Sequence, residues 1–317
     1  MLDIRALRTL STGYIPRSLK ASRRGGQTDS VRYCYSVWLR HLGMLHASGL
    51  PTSFETVAEL GPGRTCGIGL AALLSGSKSY VGLDVVSYKE LQHNVALLYG
   101  LAELYERKER IPDDAEFPEI KPKLKSYGFP TEALDFARLK ESRSTSRLLS
   151  IKKDIVGERG EIVNRPIFQY VVPWNDPDVV DRGSVDLMFS QAVLEHVEDL
   201  DGAYQAMSMW LRPGGLMSHQ IDFKCHGTAS KWNGHWCYSD FWWRAIKGNR
   251  PYLINREPLS THLTLLEKHG FEMLVVQSVE QNNELRRDNL APRFAAVSDE
   301  DLVTSGAYIL SRKQNET

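Results

Sequence analysis

Little in this sequence speaks for a membrane, a nucleic-acid partner or an oxidising compartment. No apolar run approaches the roughly 20 residues that a membrane-spanning helix needs. Lys plus Arg equals Asp plus Glu at 39 each, so the basic excess that displaces counterions from nucleic-acid phosphates is missing and such a partner is not expected. Cysteine is scarce: Cys34, Cys66, Cys225 and Cys237 stand far apart and form no C-x-x-C pair. That excludes a disulfide framework and leaves a reduced, cytoplasmic protein without a metal as the expectation. The chain also lacks internal repeats and low-complexity tracts. Its N-terminal stretch carries Arg5, Arg8, Arg17, Lys20, Arg23 and Arg24 but no sustained hydrophobic segment, which argues against a secretory signal. Residues 1–28 are therefore expected to be a basic leader, wholly or partly disordered.

What is present is a βα rhythm. Val31, Tyr35, Trp38, Leu39, Leu42 and Leu45 recur at helical spacing between a cap at Asp29 or Ser30 and the stop Gly49-Leu50-Pro51. A short apolar strand, residues 56–60, runs into Gly61-Pro62-Gly63, then an Ala- and Leu-rich helix, then a second strand at residues 80–84. Strand, glycine turn, helix and strand make a βαβ unit, hence a parallel sheet with a right-handed crossover. Residues 100–165 change character, with helical stretches predicted near 101–110 and 131–150 between prolines. They read as a helical insertion covering the cofactor or substrate crevice. Strands return at residues 168–172 and 185–190, followed by a helix through residues 194–211 and a Pro-Gly-Gly turn into a strand at 216–221. A helix at 260–269 and strands at 272–279 and 307–311 close the chain. Two closing strands without a long helix between them predict a terminal antiparallel hairpin on a mostly parallel sheet.

The glycine turn lets the backbone pass close to a ligand, and the following helix presents unpaired N–H groups. Asp84 ends the second strand 21 residues beyond Gly63, where a carboxylate accepts hydrogen bonds from ribose hydroxyls. This pair alone indicates an adenosine moiety and not which cofactor carries it.

Four segments in order carry a resemblance. Glu59-Leu60-Gly61-Pro62-Gly63, Asp84, Ser190-Gln191-Ala192-Val193-Leu194-Glu195-His196-Val197 and Leu211-Arg212-Pro213-Gly214-Gly215 resemble the motifs of class I S-adenosylmethionine-dependent methyltransferases, of the bacterial type acting on small molecules or glycans. The resemblance implies a Rossmann-like, seven-stranded α/β domain over residues 29–317 and S-adenosylmethionine as cofactor. It implies that Glu59, Gly61, Pro62 and Gly63 line the methionine end, that Asp84 and Val85 hold the ribose, and that Gln191 faces the sulfonium and the acceptor. One departure is strand three, which ends Val172-Pro173-Trp174-Asn175 rather than in the family's acid. Trp174 either edges the adenine in its place or is a core or surface tryptophan. NAD would share the glycine turn and the acid, but the two later motifs have no reason to recur in a dehydrogenase. A cofactor-binding protein without catalysis is the reading from another class.

Ligands of open α/β sheets lie beyond the C-terminal strand ends. There, between His219 and Trp243, fall three of the nine histidines and four of the seven tryptophans, so residues 222–258 are expected to recognise a small-molecule or carbohydrate acceptor. His219, His226 and His235 are the candidate bases, with Asp222 to orient one of them. Against each stands the plainer role of a packed, hydrogen-bonded histidine. Strand four lacks the Asn/Asp-Pro-Pro-aromatic ending common among enzymes that methylate base amino groups, which favours oxygen as the methylated atom and leaves amines and carboxylates open.

Overall fold

A computed structural model describes residues 3–14, 28–87, 91–158, 166–174 and 176–315. The elements in chain order are α1 (Ile4–Gly13), α2 (Val31–Ala47), β1 (Thr56–Leu60), α3 (Gly67–Leu74), β2 (Ser79–Leu83), α4 (Leu91–Glu106), α5 (Phe136–Ser142), α6 (Thr145–Val156) and β3 (Phe168–Val171). They continue with β4 (Val185–Gln191), α7 (Leu200–Trp210), β5 (Leu211–Asp222), α8 (Asp240–Lys247), α9 (Leu259–Lys268), β6 (Phe271–Glu280), α10 (Asp299–Val303) and β7 (Thr304–Lys313). One seven-stranded sheet runs in the order β3-β2-β1-β4-β5-β7-β6. β1 pairs in parallel with β2 and with β4, and β2 with β3. The closing strands form the antiparallel hairpin that the sequence predicts.

Two compact units divide the chain. The larger comprises Arg24–Gln191, Ala206–His219 and Leu310–Thr317; the smaller comprises Met1–Arg23, Ala192–Gln205 and Gln220–Ile309. In the larger, α2 and α4 pack against α3, and Tyr35, Trp38, Leu39, Leu42 and Leu45 of α2 are buried. These are residues whose helical spacing announces that face. Gly69 of α3 has no room for a side chain, because a Cβ there would stand 1.9 Å from the Tyr80 ring.

Three expectations need correction. The insertion is helical at α5 and α6, but these helices do not cover the crevice. Arg147 donates to the carbonyls of Ser77 and Lys78 just before β2, and the Asp154 carboxylate accepts the N–H groups of Ile167 and Phe168 that open β3. Both anchors stand at the N-terminal strand ends, opposite the expected ligand crevice. Between α4 and α5 the chain is irregular, and it is this stretch that reaches the C-terminal end of β4, where Gln191 Nε2 donates to the Lys121 carbonyl (3.3 Å). Next, the expected helix from Leu194 is interrupted: a short 3-10 turn at Leu194–His196 precedes α7, whose start is fixed by Asp199 accepting the Gly202 N–H (2.9 Å). β5 consequently begins at Leu211 and includes the Pro-Gly-Gly segment read as a turn. Finally, the basic leader contains helix α1, capped by the Asp3 carboxylate, which accepts the N–H groups of Arg5 and Ala6. Residues 15–27 of the leader, with Arg17, Lys20, Arg23 and Arg24, lie outside the described residues.

Candidate active site

In the larger unit the turn after β1 places Gly61 and Gly63 at φ 67° and 77°, the left-handed region that glycine enters without strain. The Gly61 N–H donates to the Leu83 carbonyl (2.7 Å), tying the turn to the end of β2. Asp84 follows at that end and is buried. Its carboxylate accepts N–H groups from Gly63 (3.2 Å), Val85 (2.7 Å) and Val86 (3.2 Å). Burial raises its pKa, and these three donors oppose the rise. Val85 beside it is half exposed. A Cβ on Gly63 would meet nothing nearer than the Thr28 hydroxyl at 3.9 Å. That hydroxyl is buried and without a hydrogen-bond partner among the described residues. An open backbone surface, a strand-end acid and an unsatisfied hydroxyl together fit the ribose and amino-acid ends of S-adenosylmethionine.

Glu59, expected at the methionine end, lies on β1, the strand that leads into the turn. It is 1% exposed, accepts the Tyr80 hydroxyl (2.7 Å) and takes the Gly69 N–H. Burial pushes its pKa up to about 8. It braces β1, β2 and α3 so that the glycine turn holds its shape. Pro62 is buried in the turn. Trp174 is partly buried and packs edge-on against Trp210, ring centres 6.0 Å apart.

Gln191, at the tip of β4, is held on two sides. Its Nε2 faces the Lys121 carbonyl, which fixes the amide orientation, and its Oε1 stands 3.2 Å from His41 Nε2. An amide oxygen accepts only, so His41 Nε2 carries the proton and Nδ1 takes the Ser218 hydroxyl proton at 2.7 Å. Burial lowers the His41 pKa to about 4, keeping the ring neutral. Arg40, the preceding residue, is fully buried and donates to Ser36 Oγ, Asp114, Tyr127 Oη and the carbonyls of Pro112, Ile120 and Pro122. Helix α2 thus holds both Gln191 and the loop that touches it. Sequence reasoning takes α2 for packing alone, and a cation inside an apolar helix face is the signal it passes over.

The four candidate catalytic residues are divided between the two units. His219, the last residue of its segment of the larger unit, is buried within β5, its Nδ1 at 2.7 Å from Ser190 Oγ. The other three belong to the smaller unit. His235 is 1% exposed in the 3-10 turn Gly234–Cys237. Burial and then the Arg256 charge hold its pKa near 3, and the void it lines with Glu195 and Asp222 measures about 10 Å³. Asp222 and His226 do meet, Nε2 to Oδ2 at 3.3 Å. Burial alone would raise the Asp222 carboxyl, but His226 and the Lys224 N–H hold it below its usual value. His226 occupies a turn, 225–228, closed by the Thr228 N–H on the Cys225 carbonyl (2.9 Å). His226 and Gly227 are both at positive φ, 47° and 77°, so the histidine is held in a conformation side chains rarely adopt.

His226 opens onto a cleft of about 620 Å³ lined also by Arg5, Arg8, Thr9, Thr12, His196, Arg250 and Tyr252. The His196 ring meets those of His226 and Tyr252 edge-on at 5.1 and 5.5 Å. Arg256 donates to Asp240 (2.6 Å), and its guanidinium stands over the rings of Trp243 and Phe294. Among the described residues no group of three or more His, Cys, Asp or Glu side chains is placed to hold a metal ion.

Strands in the order 3-2-1-4-5, a reversed closing hairpin, a glycine turn after β1 and an acid after β2 agree with the class I S-adenosylmethionine-dependent methyltransferases that the sequence motifs resemble. Residues 171–218 match the family model of a methyltransferase domain, so the chain is an enzyme of methyl transfer and S-adenosylmethionine is its cofactor. Among solved structures it is similar to an S-adenosylmethionine-dependent methyltransferase from Methanosarcina mazei, at 13% identity and TM-score 0.45 over 86% of this chain and 98% of that one. One from Mesorhizobium loti gives 14% identity and TM-score 0.41 over 85% and 96%. Scores below 0.5 do not establish a common fold, so the class rests on the chain's own sheet order and on the matched domain. No curated protein matches the sequence at a significant level.

Proposed function

We propose that this methyltransferase acts on a hydroxyl of a small-molecule or glycan acceptor, with His226 as the base and Asp222 as the residue that orients it. The observation that carries this reading is the Asp222–His226 pair, whose histidine lines the cleft. When bound, S-adenosylmethionine supplies a methyl group on a sulfonium, open to in-line attack by a nucleophile. Gly61, Gly63 and Asp84 hold the cofactor, and Gln191, fixed by His41 and Lys121, is its neighbour on β4. Asp222 keeps the imidazole face turned and stabilises the charge the ring gains on taking the hydroxyl proton. His219 and His235, enclosed in the interior, serve packing and not proton transfer.

His226→Asn tests the reading cleanly. Asparagine tolerates the left-handed conformation of the turn, so the fold persists while the base is lost. The expected result is a fall in kcat of about a hundredfold or more with cofactor affinity nearly intact. Full turnover in the folded variant would reduce the loop to recognition surface and leave catalysis to proximity and desolvation.

A further inference from the structure

Helix α1 divides its residues among three faces. Ala6 and Gly13 are buried, with Leu10 packed against the same core around Trp243 and Ile246 of α8. Ile4 and Leu7 are exposed, 80% and 52%. Arg5, Arg8, Thr9 and Thr12, at the i, i+3, i+4, i+7 spacing of a third face, line the cleft that holds His226. The helix is fastened over that cleft. Asp3 accepts the N–H and hydroxyl of Ser230 (2.6 and 2.9 Å), and Thr9 Oγ1 reaches the Gly227 carbonyl (3.4 Å). Arg250 Nη2 donates to the Thr9 carbonyl (2.6 Å) and Thr12 Oγ1 (2.8 Å), which holds its guanidinium at the wall.

The cleft's lining therefore holds three arginines and two histidines and no acidic residue. Arg5 and Arg8 have no ion pair among the described residues. In a chain whose formal charges sum to zero, such a one-signed concave wall raises the local potential for an anion. His196 adds a buried Nδ1 with no hydrogen-bond partner among the described residues. The guanidinium forks of Arg5 and Arg8 are the donor type that recognises phosphate oxygens. The Thr9 and Thr12 hydroxyls instead donate to backbone carbonyls, and Arg250 commits its Nη groups to the carbonyls of Ile246, Lys247 and Thr9 and to Thr12 Oγ1.

We infer that this cleft binds a phosphate group, and that the methyl acceptor carries it. The second half of the inference rests on the function proposed above; the first does not. Phosphate seated on Arg5 and Arg8 would hold the rest of the acceptor against His226 in the same cleft. The group comes either from a soluble phosphate ester or from a lipid headgroup. For the latter the exposed Ile4 and Leu7, with Phe241 and Trp242 of the adjoining α8 at 65% and 45% exposed, supply apolar contact.

The test uses the whole chain without acceptor. Inorganic phosphate is titrated calorimetrically at constant ionic strength, with chloride as control, against the wild type and the Arg5→Ala/Arg8→Ala double variant. Both positions are exposed, so the variant folds. The expected result is saturable phosphate binding weakened about tenfold or more in the variant, with S-adenosylmethionine affinity unchanged. Cosedimentation with phosphatidylcholine vesicles, with and without phosphatidic acid, separates the sources. Arg5- and Arg8-dependent capture by the anionic vesicles identifies a lipid, and phosphate binding without capture identifies a soluble ester. No phosphate binding and no capture, or binding indifferent to the double variant, overturns the inference. The His226→Asn result is independent: loss of phosphate binding with His226-dependent turnover intact removes this site and keeps the base, and the reverse outcome keeps the site and removes the base.

Discussion

Glu59 shows how far a residue's chemistry can depart from its motif. The family resemblance puts it at the cofactor; in the fold its carboxyl is bonded to Tyr80 and to the N–H of Gly69. Its role is then a matter of stability, with a definite sign. Burial raises the folded carboxyl from the ordinary 4.5 to about 8, so its contribution is fully present below the unfolded pKa and lost as pH rises through the folded one. Between pH 5 and 9 the wild type should lose stability relative to Glu59→Gln by a few kcal/mol, on the order of 1.4 kcal/mol for each pH step of one between the two pKa values. Urea midpoints across that range read the difference, and parallel curves for the two proteins would contradict it. The sequence offers the acid and its spacing from the glycines, but not Tyr80 across from it. Side-chain partners on neighbouring strands are set by register, and β1 against β2 aligns Glu59 with Gly82, which leaves room for the Tyr80 hydroxyl.

At the scale of elements, α2 and the loop it holds carry the least expected arrangement. A fully buried guanidinium satisfied by three carbonyls, two hydroxyls and Asp114 fixes residues 112–127 and, through Lys121, the Gln191 side chain. Arg40→Met should destabilise the chain by about 3 kcal/mol or more, because it leaves buried carbonyls unpaired. Hydrogen exchange in residues 112–127 should quicken in step. Unchanged unfolding and exchange would show the loop to be held by other contacts. The βαβ unit was legible because apolar periodicity and glycine placement are local signals: β1, the turn, α3 and β2 fall within a residue or two of their predicted bounds. The place of α5 and α6 was not, since Arg147 and Asp154 make bonds to strand ends far off in sequence, and helical pattern carries no information about which sheet end a helix meets. The same holds for α1. Its three faces exist in the sequence as spacing, but a run of arginines near a chain end reads equally as solvated leader until a cleft is placed against one of them.

For the whole molecule, four histidines, three buried and His196 partly so, set the acid limit. Burial depresses His41 and His196 to about 4 and His235 and His262 to about 3, from the ordinary 6.5. A base with a lowered folded pKa contributes stability that is present above its unfolded pKa and lost as pH falls toward the folded one. Unfolding free energy should therefore drop steeply from pH 6.5 down to 4, by up to several kcal/mol in sum. Replacing His262 by Gln should flatten that slope, and an unchanged acid limb would contradict the assignment. Function rests on the cofactor. Titration calorimetry of S-adenosylmethionine and NAD against wild type and Asp84→Ala is the most direct measurement of it. The wild type is predicted to bind S-adenosylmethionine and not NAD, and Asp84→Ala to weaken binding by about 1–3 kcal/mol through the ribose hydroxyls left unpaired. Equal affinity for S-adenosylmethionine in a folded Asp84→Ala protein, or preference for NAD, would contradict the assignment of cofactor and site together.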